Sequence, residues 1–112
     1  SKNVPNLMFA GRNVSVSHMA LSSTRIIGTC CMMGQAVGVA TAMCIEKNIN
    51  PREIYLSYID ELQERMLRND YYIPNRPAND SNDLTRTVDK VWATSTSSGD
   101  VHNLFDGVAR DE

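Results

Sequence analysis

The feature that most limits how this chain can fold is the stretch from Ile26 to Ile45, which carries no charged side chain. Its length is close to the roughly 20 apolar residues that a membrane-spanning helix needs. Its composition differs from such a helix, because glycine, threonine, glutamine and cysteine side chains are spread along it. We therefore predict a buried helix of a soluble domain and no membrane span.

The predicted helix runs from Cys30 to Lys47 and ends at Asn48, with the pair Gly28-Thr29 offering a hydroxyl cap. Small residues recur along it at four-residue spacing, and they are Gly34, Gly38 and Ala42. One stripe of the helix therefore has almost no side chains. A sheet, another helix or a ligand is expected to approach this stripe closely.

Length, charge and cysteine content exclude several classes of protein. The 112 residues, of which 42% are apolar, suit one small domain with a modest core. The net charge of -2 and the lack of a basic run argue against nucleic-acid binding. Cys30, Cys31 and Cys44 all lie on the predicted helix, so we expect no intrachain disulfide and no metal site.

The segments before the long helix are predicted as a strand and a loop. Residues Asn6 to Ala10 form a short apolar run that stops at Gly11, which is typical of a buried strand ending in a tight turn. The serine-rich residues from Arg12 to Ser23 are predicted as a loop with room for one helical turn, and His18 lies in their middle.

Two shorter helices and a loop are predicted after it. Asn50-Pro51 begins a helix with Glu53 at the capping-box position. Residues Tyr58 to Arg68 form an amphipathic helix with the stripe Ile59, Leu62 and Met66. Residues Pro74 to Asn82 lack apolar periodicity and are predicted as a linker.

Several motifs occur in one order: Ala10-Gly11-Arg12, then His18, then Thr24-Arg25, then Gly34-Gln35-Ala36-Val37-Gly38. From Val4 to Pro74 the chain resembles the closing segment of the FAD-dependent oxidoreductase family, which includes many bacterial proteins. The resemblance implies a mainly α fragment of an α/β, Rossmann-type FAD-binding domain. Its elements would be one short strand, the long glycine-striped helix and a carboxyl-terminal amphipathic helix.

The resemblance also implies site residues for the intact parent protein. It places His18 and Arg25 as candidates for touching flavin or substrate, with structural roles as the alternative. It places FAD beside Gly11, Arg12, Thr29, Cys30, Cys31, Gly34 and Gln35, although tight helix packing alone is an equal reading of Gly34-Gln35. No Gly-x-Gly-x-x-Gly turn is present. We therefore expect this chain alone neither to hold FAD stably nor to act as an enzyme.

The tail has a second, shorter resemblance. Val91 to Ser98 followed by Asn103 to Gly107 is similar to the opening of discoidin-like carbohydrate-binding modules. Together the two resemblances imply an FAD-dependent oxidoreductase segment at 1–74, a linker at 75–87 and the start of a β-sandwich at 88–112. The second resemblance also implies a saccharide as a partner and a periplasmic or secreted location. A helical protein-interaction module, or part of a carbohydrate-binding protein, stays open as an alternative. The expected partners are the remainder of the FAD domain and a second copy of the chain.

Overall fold

The chain is mainly helical, as the sequence predicts. A computed structural model describes residue 1 and residues 3–106. These residues contain four α-helices and no strand: α1 (His18–Thr24), α2 (Ile27–Lys47), α3 (Pro51–Ser57) and α4 (Ile59–Leu67), followed by 3₁₀ helices at Leu84–Thr87 and Val101–Phe105. The chain divides into two compact units, Ser1–Leu62 and the residues from Gln63 onward, and the division falls within α4.

Helix α2 ends where predicted but begins earlier. Asn48 terminates it in the left-handed conformation at φ 53°, and the Asn48 N–H donates to the carbonyls of Cys44 and Ile45. The helix starts at Ile27, three residues before the predicted Cys30. The N-cap residue Ile26 has no polar side chain, so no hydroxyl or carboxylate marks this start.

The core of the first unit lies where α2 packs on α3. Met43 is fully buried, and Ala40 and Ile54 are nearly so. Half-buried side chains surround these three: Met8, Val39, Cys44, Ile49, Tyr58 and Leu62. Lys47 on α2 pairs with Glu61 at 2.9 Å, and its ammonium lies 4.7 Å from the centre of the Tyr58 ring. The core is small for a chain with so many apolar residues.

Helices α3 and α4 follow the sequence pattern. The predicted capping box forms, because the Asn50 N–H donates to Glu53 Oε1 at 3.0 Å. On α4, Met66 is buried and Leu62 is half-buried, whereas Ile59 remains 37% exposed. The predicted amphipathic helix is therefore confirmed, with its first apolar residue only partly covered.

The predicted strand Asn6–Ala10 has no ladder partner among the described residues. The chain turns at Pro5-Asn6 and then runs without regular structure from Leu7 to Ala10. A strand is defined by hydrogen bonds to a neighbour. The strand, and with it the Rossmann-type sheet, stays a prediction for a larger domain.

Two other segments differ from the sequence prediction. The predicted loop at Arg12–Ser23 contains most of α1, because the Ser17 hydroxyl accepts the Ala20 N–H at 3.3 Å and caps a helix of two turns. Residues Val91–Ser98, which resemble the opening of a discoidin-like module, contain no strand, and Gly107 lies outside the described residues. The discoidin-like module thus gains no support from the fold.

Candidate functional site

The turn at Gly11 is the first part of the predicted site. Gly11 has φ 100°, which L-residues with a side chain rarely adopt, and its carbonyl accepts the Val14 N–H at 3.1 Å. The tight turn expected from the sequence is thus formed. Arg12 follows within it and is exposed. The backbone here is open to close approach by another group.

His18 and Arg25 lie at opposite ends of α1. His18 is its first residue, and Arg25 is its C-cap, with its N–H donating to the Leu21 carbonyl at 3.3 Å. Both side chains are exposed. Seven residues at about 1.5 Å of rise each separate them by roughly 10 Å along the axis. The structure therefore does not bring the two residues together as a pair.

The amino end of α2 is held against the end of α1. The Thr29 hydroxyl donates to the Ser23 carbonyl at 3.2 Å. The first hydrogen bond of the helix runs from the Cys30 N–H to the Ile26 carbonyl at 3.0 Å. The amides that precede this bond belong to Ile27, Gly28 and Thr29, and no acidic residue lies in the first turn.

Thr29, Cys30 and Cys31 are the residues at this end of the helix for which the sequence predicts a flavin contact, and that contact stays a prediction. The Cys30 amide is already bonded within the helix, and Cys31 follows inside it. Of these three residues only Thr29 contributes an amide that precedes the first helical hydrogen bond, and Ile27 and Gly28 contribute the others. Sequence reasoning missed them because it placed the helix start at the first hydroxyl cap, and an Ile N-cap gives no such signal.

The three cysteines are free thiols. Burial raises the pKa of the Cys44 thiol, and the Glu53 carboxylate adds to this effect. A raised pKa lowers the thiolate fraction at neutral pH, and Cys44 packs against the core formed by α2 and α3. Among the described residues, no group of three His, Cys, Asp or Glu side chains is placed to hold a metal ion.

The small-residue stripe of α2 faces no part of the described chain. Gly34, Gln35, Gly38 and Ala42 are exposed, and a Cβ added at Gly34 or Gly38 would meet no atom within 4 Å. Ile27 and Ile45, near the ends of this helix, are 83% and 77% exposed. The close approach that the glycines predict is therefore not made within the described residues.

Helix α2 is also long and apolar enough to cross a membrane by length and composition, with a mean hydropathy of 1.4. The core helix of a soluble protein passes the same test. Its outer face carries glycines and a glutamine, which favours close packing against protein. The absence of a membrane span stays a prediction.

A glycine substitution distinguishes an open stripe from a covered one. In this chain alone, we expect Gly38→Ala to raise the free energy of unfolding by roughly 0.5–1 kcal/mol, because alanine favours a helix and nothing opposes its Cβ. If the remainder of an FAD domain covers the stripe in the full-length protein, we expect the same substitution there to lower that free energy by roughly 1–3 kcal/mol, because the added Cβ then meets packed atoms. Urea denaturation of both proteins measures the two values, and the same sign in both would contradict a covered stripe.

An open groove of about 740 Å³ lies apart from the predicted site residues. Leu7 and Phe9 line one part of it, and Tyr55 and Leu56 on α3 line another. None of the predicted catalytic or flavin-contacting residues lines it. Its walls are mainly apolar, and Asn50, Arg52 and Glu53 add polar groups to them.

Comparison with known proteins gives one result. A model of the FAD dependent oxidoreductase family matches residues 1–66, more than half of the chain. The match includes the Gly11 turn, α1, α2 and α3, and it ends within α4. It does not reach the tail for which a carbohydrate-binding module is predicted. Neither curated proteins nor solved structures give a significant match.

Proposed function

Because the chain belongs to the FAD dependent oxidoreductase family, we propose that it forms one wall of the flavin site of an oxidoreductase and needs the rest of its domain for activity. The observation that carries this proposal is the amino end of α2. That end presents the amides of Ile27, Gly28 and Thr29, is fixed by the bond from Thr29 to Ser23, and has no carboxylate in its first turn.

The residues present fit part of a flavin site. An exposed helix amino end attracts negative charge, because its unpaired amides and the helix dipole point outward. The Gly11 turn adds a place where backbone without a side chain accepts a close neighbour. The exposed Arg12 guanidinium is suited to phosphate oxygens through its forked donors.

The chemistry of the site follows from these donors. Bound FAD would supply a two-electron acceptor for substrate oxidation. The α2 amides of Ile27, Gly28 and Thr29 would stabilise negative charge that develops next to them. Preorganised backbone donors of this kind need no rearrangement during the reaction, so they favour the reduced, more negative state.

His18 and Arg25 remain proposed contacts for flavin or substrate. Both are exposed, and neither contacts the core of the first unit. Since they lie at opposite ends of α1, they would act on different parts of a ligand. The test is to measure flavin affinity and turnover of the His18→Gln and Arg25→Gln variants of the full-length protein. If both quantities are unchanged in a variant, the substituted residue does not contact flavin or substrate.

The partner implied by the open surfaces is the remainder of the FAD domain. The exposed stripe on α2, the apolar groove beside α3 and the segment Leu7–Ala10, which has no strand partner among the described residues, all lie in the first unit. Apolar surface of this extent is covered in a stable protein. Strands and helices from the same domain would cover it, and self-association would cover it in this chain alone.

The α2 proposal is tested by adding a charge at the helix amino end. We expect Gly28→Asp in the full-length protein to lower the flavin reduction potential relative to Gly28→Asn. A carboxylate there opposes negative charge on the reduced flavin, and ~1.4 kcal/mol corresponds to about 30 mV for a two-electron couple. Spectroscopic redox titration measures both potentials.

Asparagine is the matched control, because it has the shape of aspartate without the charge. A Cβ at Gly28 meets no atom within 4 Å in this chain, so the space here accepts either side chain. Equal potentials for the two variants would place the flavin away from the α2 amino end. Loss of flavin in both variants would show that Gly28 is packed against the rest of the protein. The flavin reduction potentials of Thr29→Asp and Thr29→Asn would then be compared instead.

A further inference from the structure

The segment predicted as a linker is held on the second half of α4. The Asn79 N–H donates to Glu64 Oε2 at 3.1 Å, and Arg68 Nη2 donates to Asp80 Oδ1 at 2.8 Å. Arg68 directly follows α4, and its N–H donates to the Glu64 carbonyl at 3.0 Å, so it lies on the same side as Glu64. Consecutive residues of the segment thus bind the last turn of α4 and the residue that follows it.

A third contact joins the segment to the same helix. The Arg76 guanidinium lies 3.6 Å from Glu64 Oε1, so both oxygens of this carboxylate face the segment. The two carboxylates are partly shielded from water, with Glu64 24% and Asp80 20% exposed, whereas the Arg68 side chain is 53% exposed. Partial shielding makes such contacts stronger than ion pairs in full solvent.

The segment is also bonded to itself. Asp80 Oδ1 accepts the Asn82 N–H at 2.9 Å, and Asn79 Oδ1 accepts from Arg86 Nη2 at 2.8 Å. Asp83 caps the following 3₁₀ helix by accepting the Thr85 N–H at 2.9 Å, and this bond lowers the pKa of its carboxyl. These bonds leave the backbone between residues 79 and 86 little freedom.

We propose that residues 76–86 form a polar latch on α4, which fixes the point where the chain leaves this helix. The residues that follow are then positioned by α4 and are not connected to it through a flexible linker. The interactions with α4 are those of Glu64 and Arg68, so the latch is held by charge and opens when charge is screened or removed.

The latch is tested by proteolysis of the full-length protein. Trypsin cleaves after Arg86, which lies within the latch, but not after Arg76, because Pro77 follows it. We expect Glu64→Ala combined with Asp80→Ala to raise the cleavage rate at Arg86 about tenfold, because cleavage follows the population of the open segment. Asp89→Ala is the matched control, since it removes an exposed carboxylate just outside the latch, and it should leave the rate at Arg86 unchanged.

Amide hydrogen exchange of the unmodified protein gives a second test that needs no variant. We expect the Asn79 and Asn82 amides to exchange about five- to tenfold faster in 1 M NaCl than in 0.1 M, because the Debye length falls from about 10 to about 3 Å. Amides within α2 serve as the internal reference. Cleavage equal in all variants, or exchange of Asn79 that is fast and unaffected by salt, would overturn the latch.

Discussion

Replacing Met43 by alanine is expected to lower the free energy of unfolding of this chain by roughly 2–5 kcal/mol. Met43 is the one described side chain that is completely buried, and it lies between Ala40 and Ile54 at the contact of α2 with α3. The variant loses the transfer free energy of the side chain and leaves a cavity behind. With so few buried neighbours, this loss is a large share of the stability.

Met19→Ala is the matched control, because Met19 is 89% exposed on α1. It removes the same atoms from water instead of from a core, so its effect should stay within about 0.5 kcal/mol. Urea denaturation followed by the helical circular dichroism signal measures both variants. Equal denaturation midpoints for the two would show that α2 and α3 do not pack as described.

The sequence predicts the helices best where a local signal marks their ends. Asn48 stops α2 because asparagine tolerates the left-handed conformation, and Asn50 with Glu53 forms the capping box that its spacing indicates. The start of α2 at Ile27 has no such signal, so the sequence predicts this start three residues further along the chain, at Cys30. The cap of α1 was present in Ser17, but a serine-rich stretch is also typical of a loop.

Other features depend on contacts that composition does not reveal. Residues 76–86 have the breakers and polar side chains of a linker, yet Glu64 and Arg68 hold them. The apolar run Asn6–Ala10 has the pattern of a strand, but a strand forms only beside another strand. The motif order that indicates an FAD-dependent oxidoreductase agrees with the family match over residues 1–66. It does not reveal which ligand each residue touches.

The central claim is that this chain forms one wall of a flavin site and needs the rest of its domain, and the small number of buried apolar residues supports it. Ala40, Met43, Ile54 and Met66 are the buried apolar residues of the described chain. Large apolar side chains remain exposed on α2, on α3 and in the unpaired amino-terminal segment, among them Ile27, Ile45, Leu56 and Phe9. A domain that binds FAD covers such surfaces with its own sheet and helices. These exposed surfaces support the proposal that the chain is one wall of a larger site.

Visible absorption after purification tests this claim most directly. We expect the full-length protein to retain FAD and show flavin bands, and this 112-residue chain to be colourless even after incubation with FAD. The chain has the Gly11 turn and the α2 amino end but no Gly-x-Gly-x-x-Gly turn for the pyrophosphate. A full-length protein that is colourless and does not bind added FAD would contradict the account.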